Sequence, residues 1–209
     1  MKLQILLYSF AFLCIGCNSG SKNNENKDEK EVPTEEIQKS IKDSYLIADN
    51  SAGKFKTGTQ IPFPETSDTY KISKETQTRM TEEGPEEETI YIVNENSEYL
   101  LTIAPEYNFE TGNYTQNIGE IIILSEKFKT QDGIGVHSTI QDFIKTYPNY
   151  KIWYTYVSGM YVIETEELNA QFILSEKDFI GELTITSDMI PLTKTDFNAT
   201  AKIIKIRIL

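Results

Sequence analysis

The chain has 209 residues, with 32 acidic side chains against 20 basic ones and a formal net charge of −12. Phosphate backbones and anionic headgroups repel such a chain, so nucleic acid is not expected as a partner. Both cysteines lie within the first 17 residues, and there is one histidine. The rest of the chain therefore offers no disulfide framework and no Cys- or His-rich metal site, and we expect no cofactor.

The N-terminus has the pattern of an export signal. Lys2 precedes an apolar run over residues 3–13, which is shorter than the ~20 residues of a spanning helix but typical of a signal peptide. The run ends in Leu-Cys-Ile-Gly-Cys, residues 13–17, and this resembles the lipobox of bacterial lipoproteins. The resemblance implies that residues 1–16 are removed and that Cys17 carries the lipid. An ordinary secretory signal, with Cys17 incidental, is the alternative.

The resemblance also implies a location and a domain plan. The protein is expected at the cell envelope, anchored by lipid at the outer membrane, either on its periplasmic face or at the cell surface. Residues 18–31 contain no apolar side chain, so 17–40 is predicted as the lipidated cysteine and a flexible polar linker. Residues 41–209 are predicted as a single domain.

A weak internal similarity leaves a second domain plan open. Residues 53–59 and 133–139 share the spacing of a glycine, a small residue and a threonine. This could reflect two related halves, about 41–110 and 111–209, although chance explains it equally well.

The rest of the chain is predicted as α+β, a mainly antiparallel sheet with one principal helix. Segments rich in β-branched and aromatic residues, bounded by turn residues, indicate strands. They are 45–48, 69–72, 76–80, 89–93, 99–103, 119–124, 152–157, 160–165, 171–174, 182–186 and 201–209. In the last of these, Ile204, Ile206 and Ile208 should share one face. Lys205 and Arg207 should point to the other.

The clearest predicted hairpin joins 152–157 to 160–165 through a two-residue turn, Ser158-Gly159. That turn would set Tyr156 opposite Tyr161 and Tyr154 opposite Ile163. The principal helix is predicted over 139–147, because apolar residues recur at helical spacing after a Ser-Thr cap and a proline follows.

Residues 133–139, Gly-Ile-Gly-Val-His-Ser-Thr, precede that helix and are the most family-like part of the chain. With Tyr147-Pro148 they resemble a motif of small bacterial envelope lipoproteins of unknown function, in which glycine stands at the position of His137. A more distant resemblance is to BamE/SmpA-type and beta-lactamase-inhibitor-like folds. The resemblance covers about residues 121–174 and implies a binding module without catalytic residues.

Several catalytic or metal-binding patterns are outweighed by structural explanations. Residues 51–54 and 56–58 match the S-x-x-K and K-T-G patterns of penicillin-binding enzymes, but they overlap too closely to face each other across a cleft. His137 lacks the G-x-S-x-G context of a triad. The glutamates at 82, 83, 86, 87 and 88 surround a Gly-Pro turn without the ligand spacing of a calcium loop.

An aromatic cluster is the best candidate for a recognition surface, although aromatic residues of a hairpin are more often core. Its ligand-binding candidates are Tyr150, Trp153, Tyr154, Tyr156 and Tyr161. The leading hypothesis is a non-catalytic envelope lipoprotein that binds a protein partner or helps maintain the envelope. A carbohydrate or small-ligand module using residues 150–161 is the alternative, and a carboxylate-dependent hydrolase is a distant third.

Overall fold

The computed structural model describes residues 43–64, 70–81 and 84–209. The predicted signal, Cys17 and the linker lie outside these residues. The strands are β1 Leu46–Ala48, β2 Ser51–Ala52, β3 Phe55–Lys56, β4 Lys71–Thr81, β5 Gly84–Glu95, β6 Glu98–Asn108, β7 Asn113–Ile123, β8 Lys129–Thr130, β9 Tyr150–Thr155, β10 Met160–Thr165, β11 Leu168–Leu174, β12 Met189–Leu192 and β13 Ile203–Ile208. Helix α1 spans Ile140–Thr146, and 3₁₀ turns cover Glu176–Asp178 and Lys194–Asp196.

The strands form two sheets. A nine-stranded antiparallel sheet has the order β12-β9-β10-β11-β13-β7-β6-β5-β4, and a four-stranded sheet has the order β3-β2-β1-β8. Strands β4 to β7 follow one another as long hairpins, the connection that antiparallel strands favour. The α+β prediction, mainly antiparallel sheet with one helix, is confirmed for the described residues.

The two faces of the nine-stranded sheet differ in what packs against them. We call one the covered face, because α1 and the small sheet pack on it; it carries Ile72, Val93, Leu101, Ile103, Ile121, Ile123, Ile152, Ile163, Phe172, Leu174, Ile206 and Ile208, all buried. The opposite, open face carries Trp153, Val162, Gln171, Ile173, Lys205, Arg207, Ile122, Thr102 and Ile92.

Strand β13 lies in the middle of the sheet, between β11 and β7. Ile206 and Ile208 are fully buried on the covered face, as predicted. The prediction for Ile204 is wrong, because this side chain is 47% exposed and Ile203 is buried in its place. A register shift against β11 explains the error, since Leu174 pairs with Ile203 while Ile173 pairs with Lys205. The extra residue of such a bulge leaves the alternation.

Helix α1 forms where its local signals predict it. The Thr139 hydroxyl accepts a hydrogen bond from the Asp142 amide, and the Asp142 carboxylate accepts one from the Thr139 amide, which completes a capping box. The buried face of the helix presents Phe143, whose ring centroid lies 4.8 Å from that of Phe172.

The backbone geometry of the segment before α1 requires glycine at two positions. Gly133 has φ +87°, and a Cβ at Gly135 would collide with the Phe128 carbonyl oxygen. His137 has φ +69°, a left-handed conformation in which glycine is less strained. Residues 53–59, by contrast, run from the β2–β3 turn through β3 and beyond it. The shared spacing of these two segments therefore does not correspond to a shared structural element.

The β9–β10 hairpin exists, but its predicted register is wrong by two residues. Tyr161 pairs with Tyr154 and Met160 with Thr155, so the loop has four residues, 156–159. The Gly159 amide closes the loop on the Thr155 carbonyl at 2.8 Å, and the Tyr156 amide instead donates to the Asp188 carbonyl at 3.0 Å. A shift of two residues leaves every side chain on its predicted face.

Two other strand predictions also differ from the structure. Residues 69–72 and 76–80 were separate strands in the prediction, whereas residues 71–81 form the continuous β4. Residues 182–186 do not form a strand, and Ile185 is 57% exposed there. The strand of this region is instead β12, whose Ile190 is buried where it pairs with Tyr154.

Candidate functional site

The structure separates the five predicted aromatic residues. Tyr154 and Tyr161 lie together on the covered face, with ring centroids 4.9 Å apart and with Phe179 4.7 Å from Tyr161. Burial raises the pKa of the Tyr161 hydroxyl, since the side chain is only 5% exposed. Tyr161 belongs to the hydrophobic core, a position that does not favour a ligand-binding role. Its sequence pattern suits both roles, because sheet cores use the same residue types.

Two of the five, Tyr150 and Trp153, line a cavity of about 680 Å³ at the edge of the nine-stranded sheet, beside β9 and β12. We call it the edge groove. Its other walls include Met189, Pro191, Leu192 and Thr193. Met189 is 53% exposed, so apolar surface faces solvent here.

The Trp153 indole N–H is buried and has no acceptor among the described residues. A buried donor without an acceptor costs about 1–3 kcal/mol. The unpaired indole N–H is therefore an unsatisfied donor in a residue that lines the edge groove.

The fifth candidate, Tyr156, lies in the β9–β10 loop and is 56% exposed. Its neighbour Val157 is 50% exposed and lines a different cavity, on the open face. Tyr156 therefore stands apart from both Tyr150 and Trp153, and the five residues do not form one stacking surface.

A second cavity, of about 520 Å³, lies on the open face; we call it the trough. It is lined by Gln77, Thr78 and Glu88 of β4 and β5, by Glu120, Ile122, Lys205 and Arg207 of β7 and β13, and by Thr155, Val157, Ser158 and Met160 of the β9–β10 hairpin. On a flat sheet, β10 and β4 would be about 29 Å apart, six strand spacings. A cavity of this size can touch both only because the sheet curls, and the open face is its concave side.

Charged groups meet on the floor of the trough. The Arg207 guanidinium donates from Nε to Glu120, and Nη1 lies 3.4 Å from the Gln171 side-chain oxygen. Lys205 leaves β13 on the same face and is half-buried, yet no hydrogen bond or ion pair reaches its ammonium from the described residues. The sequence placed both cations opposite Ile206 and Ile208, but it gave no sign that they line a cavity.

A polar network joins the small sheet to the large one. The Tyr45 hydroxyl donates to the Glu95 carboxylate at 2.6 Å, and the Lys127 ammonium lies 2.7 Å from both Glu95 and Glu98. Burial and the hydrogen bond to Glu95 raise the pKa of Tyr45 to about 12. Burial alone would raise the pKa of Glu95, but hydrogen bonds from Lys127 and Tyr45 bring it below its usual range. We interpret this network as structural.

A second exposed aromatic group lies at the tip of the β6–β7 hairpin. Phe109 is 89% exposed, and Tyr107 contacts both Phe109 and Tyr114 with ring centroids 5.1 Å apart. The sequence reasoning did not single out these residues, since three aromatics near a turn resemble ordinary strand ends.

The remaining sequence candidates do not assemble into a site. Glu86 and Glu87 are exposed on β5, while Glu88 is buried and accepts a hydrogen bond from the Gln77 amide at 3.2 Å. Within residues 43–64, 70–81 and 84–209, no group of three or more His, Cys, Asp or Glu side chains is placed to hold a metal ion. His137 is exposed.

A search for membrane-crossing helices among the described residues finds none of sufficient length and apolar character.

Comparison with known proteins finds a distant similarity to a solved structure. No family model matches the chain, and no curated protein matches it. Among solved structures, the crystal structure of the uncharacterized protein yfeY from Escherichia coli shows some similarity. The identity is 12%, the match covers 78% of this chain and 97% of that chain, and the TM-score is 0.45.

Proposed function

We propose that this protein is a non-catalytic binding protein of the bacterial envelope, held at a membrane by lipid on Cys17, that engages a protein partner through the edge groove. The observation that carries the binding role is the groove itself. It is a largely apolar hollow at the rim of the nine-stranded sheet, with Met189 more than half exposed.

The chemistry of the groove favours a protein segment as its occupant. Its walls include the aliphatic side chains of Met189, Pro191 and Leu192, which match apolar side chains of a partner. The buried Trp153 N–H has no acceptor among the described residues, and a backbone carbonyl is an acceptor that it could use if partner binding shifts the indole. Trp and Tyr in a desolvated pocket are also frequent anchors of protein interfaces.

Site-directed photo-crosslinking in intact cells tests the proposal. A photoreactive amino acid at Met189 should give one discrete adduct with an envelope protein. The same probe at exposed Thr200, away from the groove, should give none. Met189→Asp should abolish co-purification of that protein without lowering the melting temperature. Equal adducts at both positions, or no adduct at Met189, would exclude the edge groove as the contact.

The anchor has its own test. Mass spectrometry of the protein isolated from membranes should find acyl chains on Cys17 as the first residue. A Cys17→Ser variant should leave the membrane fraction. An unmodified Cys17 thiol in the native protein would overturn the anchoring part of the proposal and leave the groove untouched.

A carbohydrate or small-ligand role is the second candidate, because Tyr150 and Trp153 line the same groove. Aromatic rings can stack on sugars. Yet these two residues are three apart on β9 and so start from opposite faces of the sheet, which is unfavourable for a flat platform. Since Trp153 is the only tryptophan, its fluorescence reports on the groove alone. A saturable change with oligosaccharides, lost in Tyr150→Ala, would favour this candidate over a protein partner.

A further inference from the structure

The trough has the size and the mixed lining of a small-molecule site. Its volume of about 520 Å³ falls within the ~300–1,000 Å³ usual for ligand pockets. Ile122, Met160 and Val157 provide apolar surface, and the charged groups lie on the floor and on the β4–β5 side. It is separate from the edge groove, which is lined by other residues.

Positive charge without a counter-ion lies on the trough floor. Lys205 is half-buried and its ammonium has no partner among the described residues. Arg207, two residues along the same strand, uses Nε and Nη1 for Glu120 and Gln171, while its Nη2 makes no hydrogen bond to a described residue. An anionic group bound here would pair with the Lys205 ammonium and accept a hydrogen bond from Nη2 of Arg207.

The two carboxylates of the trough do not cancel this preference. Glu120 is already neutralised by Arg207. Glu88 lies on the β4–β5 side of the trough, where it accepts a hydrogen bond from the Gln77 amide. An anion is therefore favoured at the β13 side and disfavoured at the β5 side, which gives a ligand one orientation.

We infer that the trough binds a small amphiphile with a single anionic head group, held at Lys205 and Arg207, and an aliphatic body along Ile122 and Met160. This inference does not rest on the proposed function. A failed crosslink at Met189 leaves it intact, and failure in the trough leaves the edge groove intact.

Calorimetric titration with hexanoate tests the inference. The full chain carrying Cys17→Ser keeps acyl chains out of the assay. Hexanoate should bind saturably, one per chain. Hexanol, which lacks the charge, and inorganic phosphate, which lacks the hydrocarbon, should each bind at least tenfold more weakly. Absence of saturable binding, or equal binding of hexanol, would overturn the inference. Equal binding of phosphate would reduce the site to a simple anion site and also overturn it.

Three variants assign the head group to its cation. Lys205→Met keeps most of the side chain and removes the charge, so hexanoate should bind about tenfold to hundredfold more weakly, as expected for a hydrogen bond to a charged group. Lys205→Arg should restore binding to within about threefold. Lys202→Met, at an exposed lysine outside the trough, should bind like the parent chain. Equal affinity in the two methionine variants would contradict the assignment, and circular dichroism confirms that each variant is folded.

Discussion

The two faces of the nine-stranded sheet are built from the same strands but are completed in different ways. The covered face is closed by α1 and by the small sheet, and its isoleucines and leucines reach full burial. The open face keeps Lys205, Arg207 and Glu120 around a hollow, although Val162 and Ile173 beside them are buried. Burial on the covered face therefore provides most of the stability, and part of the open face stays accessible to a ligand.

Removal of β13 should have the largest effect, because this strand is central and serves both faces. Deleting residues 202–209 opens the sheet between β11 and β7 and removes buried Ile203, Ile206 and Ile208. We expect loss of cooperative thermal unfolding measured by circular dichroism. Deleting only Leu209, which is 48% exposed, should leave the transition in place. An unchanged melting curve after the longer deletion would show that β13 is not part of the stable sheet.

Matched substitutions on the two faces should lower the free energy of unfolding by different amounts. Phe172→Ala empties a fully buried site against Phe143 and should lower the free energy of unfolding by about 3–5 kcal/mol. Met160→Ala on the open face removes a half-buried side chain beside the trough, and about 1 kcal/mol is expected. Urea denaturation measures both. Equal losses would mean that the open face is packed as a core.

The contribution of the Tyr45–Glu95 hydrogen bond to the free energy of unfolding should depend on pH. Tyr45→Phe removes the hydrogen bond to Glu95 and should cost about 1–2 kcal/mol at pH 8. Because the pKa of Tyr45 is raised to about 12 in the folded chain, its contribution is complete below about pH 10. It then declines as the pH rises toward 12. Denaturation of both proteins from pH 8 to 11.5 should show their difference shrinking, whereas a constant difference would exclude this linkage.

The smallest expected effect is a gain at the segment that leads into α1. His137 has a left-handed backbone conformation, at φ +69°, which glycine adopts with less strain. Glycine also loses more conformational entropy on folding, and the net effect of His137→Gly should be a stabilisation of about 0.5–1 kcal/mol. His137→Ala keeps the strain and serves as the control. Thermal denaturation measures both. A destabilised glycine variant would mean that the imidazole makes a contribution larger than the strain.

Locally encoded features were predicted well. Helix α1 was predicted to within a residue at each end, because its cap, its apolar spacing and the following proline all lie within the segment. The β9–β10 register was not, since the Tyr156 amide bonds to Asp188, a residue outside the hairpin. Ile204 was misplaced for a similar reason, because the bulge that exposes it is defined against β11.

The candidate sites follow the same division. The sequence identified Trp153 and Tyr150 as candidates for recognition, but it could not separate them from Tyr161, which is core. It did not identify Met189, whose strand it placed too early in the chain. Burial decides which aromatic residue is accessible, and burial depends on the elements that pack from elsewhere in the chain.

Sequence alone was enough for the acidic charge, the lipobox-like N-terminus, the helix and the alternation that sets Lys205 and Arg207 opposite Ile206 and Ile208. These follow from composition and from the two-residue period of a strand, which needs no neighbours. The central position of β13 and the curl of the sheet are visible only in the tertiary structure. Together they place both cations on the floor of a cavity. Strand order and curvature arise from pairings between distant residues, and no local pattern records them.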